Sequence, residues 1–440
     1  MLNALINLFK VPELRKKLFF TLGILVVYRI GVQITVPGVN IIKLIETTRG
    51  SSGQGGLADF FNLFTGGARE NASIFSLGVM PYITSMIIMQ LLKAVVPAVD
   101  RMLKEGPEGR KKYQQYGRMG TVLVTIIQGA IFANGLIQQN VRGSFLMIDN
   151  ASFIIVFTLA VTAGSLILMW FGEQITERGI GNGVSLIIMA GIIARLPYGM
   201  YQAFTGVNVG ATDPMSLLIV FALFVVVIGL VVFEEQGLRK IPIQYANRMA
   251  AGGSYGGHVS YLPFKVNPTG VIPIIFAQSL LMIPMQFEGW FGSKLKFMQM
   301  IGQQMHPDKL AYNVTYFLLI LFFAYFYMEI ELNPHDIAEN LRKQGGFIPG
   351  VRPGQKTEEF ISFTLHRITL PGAIFLGTIA LIPTIVAQIF NVPSTLRYLM
   401  GGTSLLIMVG VSLDTLKQVE SHLMMYHFDG FITRPASKRI

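Results

Sequence analysis

Residues 60–92 read FFNLFTGGARENASIFSLGVMPYITSMIIMQLL. An apolar run stops at Thr65-Gly66-Gly67, passes a charged knot of Arg69, Glu70 and Asn71, then resumes for about twenty residues. The composition is that of a membrane helix, but the helix is interrupted. A bilayer core supplies no water to satisfy a broken backbone. What surrounds this break therefore decides how the whole chain is built.

The rest of the chain has the same apolar character. Its 440 residues are 52% hydrophobic and only 13% charged, with a mean hydropathy of +0.54. Soluble domains are nearer a quarter charged. Repeated runs of about twenty apolar residues fit transmembrane helices, so the chain is a polytopic membrane protein. The start, MLNALINLFKVPELRKKLFF, sets basic residues before a long apolar run without a small-residue cleavage site. It reads as a retained first span. With no cysteine, disulfides, thiolate nucleophiles and Cys-ligated metals are excluded.

Ten spans are expected near 18–37, 74–93, 119–138, 152–171, 184–204, 215–233, 270–290, 311–329, 369–389 and 402–420, with the short piece 58–64 alone before the second. An even count puts both termini on one side. With that side inside, the inner segments hold 25 Lys and Arg, the outer ones nine, and Arg29 lies within the first span. This asymmetry follows the positive-inside rule, so much of the +11 net charge is topology and not a nucleic-acid signal. Spans one to five (1–204) and six to ten (215–440) form two halves joined by the outer stretch 205–214. Five is odd, so the halves run in opposite orientations, and broken spans at matching positions mark the functional axis of such repeats. Span two has Gly78 and Pro81; its counterpart, span seven, has Pro268, Gly270, Pro273 and Pro284. The expected fold is all-α, with two inverted five-helix halves and a short re-entrant piece.

Two inner loops, 234–269 and 330–368, are longer than orientation requires. The second contains GGFIPGVRPG (345–354), a turn-rich finger carrying Arg352. It is either a solvated loop or a docking finger for a cytoplasmic partner.

Enzyme signals are poor. His258, His306, His335, His366, His422 and His427 lie outside the span centres, and neither HExxH nor a P-loop is present. Gly179-Ile180-Gly181-Asn182-Gly183 has GxGxG spacing with no preceding strand, and reads as the start of a helix, not a dinucleotide loop. The rival reading is an inverted-repeat secondary transporter. Such carriers place acids near the bilayer midplane, whereas Asp414, Glu329 and Glu331 sit at inner span ends. The centres instead carry branched aliphatics near the breaks: Val79 and Ile83, Val184 and Ile188, each pair four apart on one helix face, and Ile275 after Pro273.

FTGGARENASIFSLGVMPYI, GEQITERGIGNGVS, KVNPTGVIPIIFA, FIPGVRPG and LMGGTSLLIMVGV, spread in order over residues 60–410, closely resemble the SecY family of protein-conducting channel subunits. The resemblance implies an hourglass pore pinched by an aliphatic ring at Val79, Ile83, Val184, Ile188, Ile275 and Ile407. It implies a plug at about 57–66 (Phe60, Phe61, Asn62, Leu63, Phe64) with Gly66 and Gly67 as its pivot. It also implies a lateral gate between spans two and seven, with polar residues Thr84, Gln90, Gln128 and Asn267. The finger, through Pro349, Gly350 and Arg352, matches the family's docking site for the ribosome or the SecA motor. Where relatives often carry an Arg-Arg pair in the preceding loop, this chain has Gly252-Gly253.

The implied function is passage of unfolded polypeptides across the membrane, recognition of signal sequences and sideways release of hydrophobic segments into lipid. No catalysis or cofactor is implied. The implied partners are small SecE- and SecG-type membrane subunits, SecA, and the ribosome through ribosomal RNA. The implied location is the bacterial inner membrane, with both termini cytoplasmic.

Overall fold

A computed structural model describes residues 11–51, 62, 64–143, 145–208, 213–245, 260–291, 300, 304–305, 309–389 and 401–432. Every expected span coincides with a helix: α1 (Pro12–Gly31), α3 (Met80–Val95), α5 (Pro107–Gly143), α6 (Asn150–Arg178), α7 (Gly183–Asn208), α8 (Pro214–Glu235), α9 (Ile272–Phe291), α10 (Leu310–Glu331), α12 (Gln355–Ile389) and α13 (Gly402–Ile432). Three short helices join them: α2 (Ile41–Ser51), α4 (Pro97–Lys104) and α11 (Pro334–Lys343). Among the described residues, six helices are long and apolar enough alone to cross a membrane. A seventh forms if α3 and α4 are joined across their 98° bend. The other spans are less uniform: α1 holds Glu13 and Arg29, α9 holds Pro284, and α13 holds Asp414 and Lys417. The protein is thus a ten-helix polytopic membrane protein. Large apolar side chains such as Val27, Leu159, Phe233 and Leu310 point outward from it, as lipid-facing surfaces do.

The break in residues 60–92 resolves into a run of turns. Helix α1 stops at Gly31, earlier than the expected 37, and α3 starts at Met80, later than the expected 74. Pro81 in the first turn pre-sets the start of α3. Between Thr65 and Gly78 the backbone is not helical, yet Ala68, Ala72, Ser73, Phe75 and Ser76 are buried. The polar groups are satisfied locally and across the chain. Ser73 N donates to Ala68 O (2.9 Å), Gly78 N to Phe75 O (2.8 Å), and Ile74 N to Ile34 O (3.0 Å). Ala72 O accepts from Val36 N at 3.0 Å. Phe75 N is taken by the Ser73 hydroxyl (3.0 Å), and Ser76 Oγ donates to Ala68 O (3.2 Å). A buried irregular segment survives only with such partners.

To the helical body the structure adds a feature that the all-α expectation lacks. The two long inner loops combine in a three-stranded antiparallel sheet of order β2-β1-β3: β1 (Leu238–Tyr245), β2 (Ser260–Lys265) and β3 (Gly346–Phe347). Ile241 faces Leu262 and Gln244 faces Phe347 across the ladders. Ile241 and Ile243, two apart and therefore on one face, pack into a core with Phe264, Leu341, Ile348, Ile361 and Leu365. The expected finger is therefore seated on a small folded platform. Residues 246–259, with Gly252-Gly253, lie outside the described residues.

Ile243→Asp should undo this platform, because an unpaired carboxylate buried there costs at least about 3 kcal/mol. The expected result is faster proteolysis of both inner loops in inverted vesicles, with membrane insertion intact.

Candidate functional site

One stripe of α7 organises the centre of the molecule. Val184, Ile188, Gly191 and Arg195 are spaced 4, 3 and 4 apart, which puts them on a single helix face. The first two join Val79, Ile83, Ile275 and Ile407 in one hydrophobic cluster, in which Val184 is half-buried and the other five are buried. The six side chains come from α3, α7, α9 and α13 and from the residue that precedes α3, so both halves contribute. All six expected constriction residues thus lie in the central cluster, together with buried residues of α1, α6, α8, α10 and α12.

Above four of them, Ile83, Val184, Ile188 and Ile275, lies a cavity of about 340 Å³. Its walls mix Gln90, Gln114, Thr176, Glu177, Asn182 and the Arg118–Glu173 pair with apolar Met86, Ile272, Phe276 and Tyr327. The charged pair is bidentate: Arg118 Nε lies 2.9 Å from Glu173 Oε1, and Nη2 2.8 Å from Oε2. A vestibule with both polar and apolar walls therefore ends on an oily floor. Helices α3 and α9, the two irregular spans, pack against each other beside it, with α5 beside both and α10 against α9. Phe276 of α9 meets Phe323 and Tyr327 of α10 edge-on at 5.7 and 6.2 Å.

On the opposite side of the ring sits the turn segment. Phe64 and Asn62 are buried, whereas Phe60, Phe61 and Leu63 lie outside the described residues. Gly66 and Gly67 have φ of +62° and +93°, conformations that favour glycine. A Cβ on Gly66 would lie 2.9 Å from Arg29 Nη1 and 3.0 Å from Gly191 Cα, so no side chain fits. Asn62 Oδ1 accepts from Glu70 N at 3.1 Å, and Asn62 O from Gly67 N at 3.0 Å, closing the turn on itself.

The expected gate residues are not joined to one another by hydrogen bonds. Thr84 Oγ1 donates to Met80 O of its own helix (3.0 Å). Gln90 lines the vestibule, and its buried Oε1 has no partner. Gln128 is half-buried on α5. Asn267 is buried, donating to Gly270 O and accepting from Thr269 Oγ1, both at 3.1 Å.

The GIGNG stretch is the turn between α6 and α7. Its backbone donates to side chains of three other segments: Ile180 N to Thr21 Oγ1 (3.1 Å), Gly181 N to Gln418 Oε1 (2.7 Å) and Gly183 N to Thr176 Oγ1 (2.9 Å). In the finger, Pro349, Gly350 and Arg352 are exposed, and Arg352 O accepts from Thr357 Oγ1 at 2.9 Å, which fixes the base and leaves the guanidinium outside.

Sequence reading missed two charged clusters. Lys265, at the end of β2, lies 3.3 Å from Asp414 and 3.8 Å from the buried Glu235, and Lys417 lies 3.7 Å from Glu235. The second cluster is the grip of Arg29 and Arg195 on the turn segment. Arg29 within a span was its visible signal. Arg195 was hidden among charges counted as outer.

The SecY family profile matches residues 73–416. The protein translocase subunit SecY of Streptomyces galbus is 43% identical over 443 residues, covering 98% of this chain and 100% of that protein. A solved protein conducting channel is similar at a TM-score of 0.66 and 19% identity, covering 94% of this chain and 96% of that one. Sec61 from the canine ribosome-channel complex of the endoplasmic reticulum is similar at a TM-score of 0.61, 20% identity and the same coverage. A profile match over most of the sequence and 43% identity along nearly all of it agree with the geometry: the chain belongs to the SecY family.

Proposed function

We infer that this chain is a protein-conducting channel whose constriction is the ring of Val79, Ile83, Val184, Ile188, Ile275 and Ile407. One observation carries the assignment: six branched aliphatic side chains, drawn from both halves, share the central hydrophobic cluster, and four of them, Ile83, Val184, Ile188 and Ile275, floor a cavity that also holds charged and amide groups. A narrow oily constriction sheds water and thereby blocks ions without any charge. The same side chains can part around an extended polypeptide and close again behind it.

The remaining parts follow from their positions. Asn62 and Phe64 belong to a stopper beneath the ring, with Phe60, Phe61 and Leu63 completing it and Gly66-Gly67 as its pivot. Helices α3 and α9 form the sideways exit, since they are the irregular spans and touch beside the vestibule. Thr84, Gln90, Gln128 and Asn267 are the polar groups there. A gate that opens would trade their present local partners for water or a signal sequence, and a polar side chain facing lipid is costly. The two halves, 1–204 and 215–440, would hinge at 205–214 as the exit parts.

Energy comes from outside, and the chain works as a channel without chemistry or a cofactor of its own. The platform bearing Pro349, Gly350 and Arg352 is the docking place for the drivers. These are the ribosome, through phosphates of its RNA, and a SecA-type ATPase. The solved canine relative in a ribosome-channel complex supports the first. Small SecE- and SecG-type subunits would accompany the pore, in a bacterial inner membrane with both termini cytoplasmic. The carrier reading loses ground because Asp414 is engaged by Lys265 at 3.3 Å and is not a free acid awaiting an ion.

Two outcomes test these roles. Replacing Ile83 and Ile275 together with serine should wet the ring. The resting channel should then pass ions in planar bilayers at least about tenfold more readily, since about 1.4 kcal/mol of lost sealing suffices; unchanged conductance removes the ring. Arg352→Glu should abolish partner-driven export while the protein stays folded and inserted. It should also weaken ribosome binding, and that binding should depend on salt in the unsubstituted channel; normal export would remove the finger from docking.

A further inference from the structure

We propose that Arg195 and Arg29 are positioning residues that latch the turn segment 64–70 beneath the constriction and thereby set how tightly the resting channel is sealed. The inference rests on the stopper reading above.

An arginine inside a span is costly unless it has partners. Arg29 sits two residues before the end of α1, and its Nη1 donates to Gly66 O at 2.9 Å. The neighbouring Tyr28 OH reaches Thr65 O at 3.3 Å. Two successive carbonyls of the pivot are therefore held by one helix. Arg195 comes from α7, which meets α1 at Gly191 and Tyr28. Its side chain is 12% exposed and forms an ion pair with Glu70, whose own side chain is 37% exposed. Its guanidinium also lies 3.3 Å from where a Cβ on Gly67 would stand. Glu70 in turn ties Asn62 through its backbone N–H, so the charge pair reaches both ends of the turn.

The register of α7 explains why Arg195 suits this role. It lies on the same face as Val184 and Ile188 of the ring, and one turn beyond Gly191, whose absent side chain admits Phe64 O. One stripe thus carries constriction, seat and latch. Arg195 and Glu70 both belong to the half 1–204, so the ion pair holds the segment against the same wall that carries Val184 and Ile188. Removing Glu70 would leave the mostly buried Arg195 guanidinium without its charge partner, which is costly.

The test uses the purified complex in planar bilayers without substrate. Arg195→Gln and Glu70→Gln should each raise resting ion conductance about tenfold, which corresponds to ~1.4 kcal/mol. The double variant should be no leakier than either single one, the mark of a shared interaction. Unchanged conductance in both, or additive effects, would overturn the latch. So would a rise from Arg195→Gln that Glu70→Gln does not share, because Arg195 would then act by packing alone. A separate arm tests the stopper itself. The chain has no native thiol, so Asn62→Cys can be linked by a bifunctional reagent to a cysteine introduced on α7. Blocked export with unaltered conductance in the glutamine variants overturns the latch only. Unimpeded export through the linked channel removes the stopper reading and the latch with it.

Discussion

The architecture depends on satisfying the backbone of an irregular segment at membrane depth. Residues 65–79 lie within the body of the protein without forming a helix, where each unpaired amide would cost several kcal/mol. Serine hydroxyls, a strand-like pairing with residues 34–36 and the arginine on Gly66 supply the missing partners. That solution brings α1, α3 and α7 around one spot. The segment is thus held by side-chain and cross-chain hydrogen bonds and by the burial of Phe64, Ala68 and Phe75, not by a continuous helical ladder.

The ring and the vestibule follow from the same arrangement. Val79 and Ile83 stand where α3 begins at the break, Val184 and Ile188 on α7, and all four join the central cluster beside the segment. Ile275 enters from α9 and Ile407 from α13. No charge is needed at the centre, because drying excludes ions more generally than any fixed charge could. Charges lie instead at the rims. Arg118 and Glu173 line the inner vestibule, Lys265 with Asp414 ties the sheet to the last helix, and Arg195 with Glu70 lies beyond the ring. The Lys265–Asp414 contact joins the sheet to α13, immediately before the segment that leads into α9.

Much of this was legible in the sequence, for particular reasons. Helix existence follows from hydropathy, and all ten spans emerged where expected. Their boundaries moved where local chemistry overrode hydropathy: α1 stopped early, and α3 waited for Pro81. The constriction residues could not be singled out by pattern, because branched aliphatics at helical spacing usually mean packing. Only the resemblance ordered them, and the structure places all six in its central hydrophobic cluster, which is far larger than the six. The sheet was missed although IPI in β1 alternates, because two strands are short and the third pairs across more than eighty residues. The arginine grip was missed because a counted charge shows only its side of the membrane, not the partner that long-range folding gives it.

The central claim is that polypeptide passes between Ile83 and Ile275. The most direct measurement places photoreactive side chains at these two positions and stalls a secretory chain partway through export. The account predicts cross-links from both positions to the stalled chain, and none when the chain lacks its signal sequence. Absence of cross-links at both, with export otherwise proceeding, would contradict it.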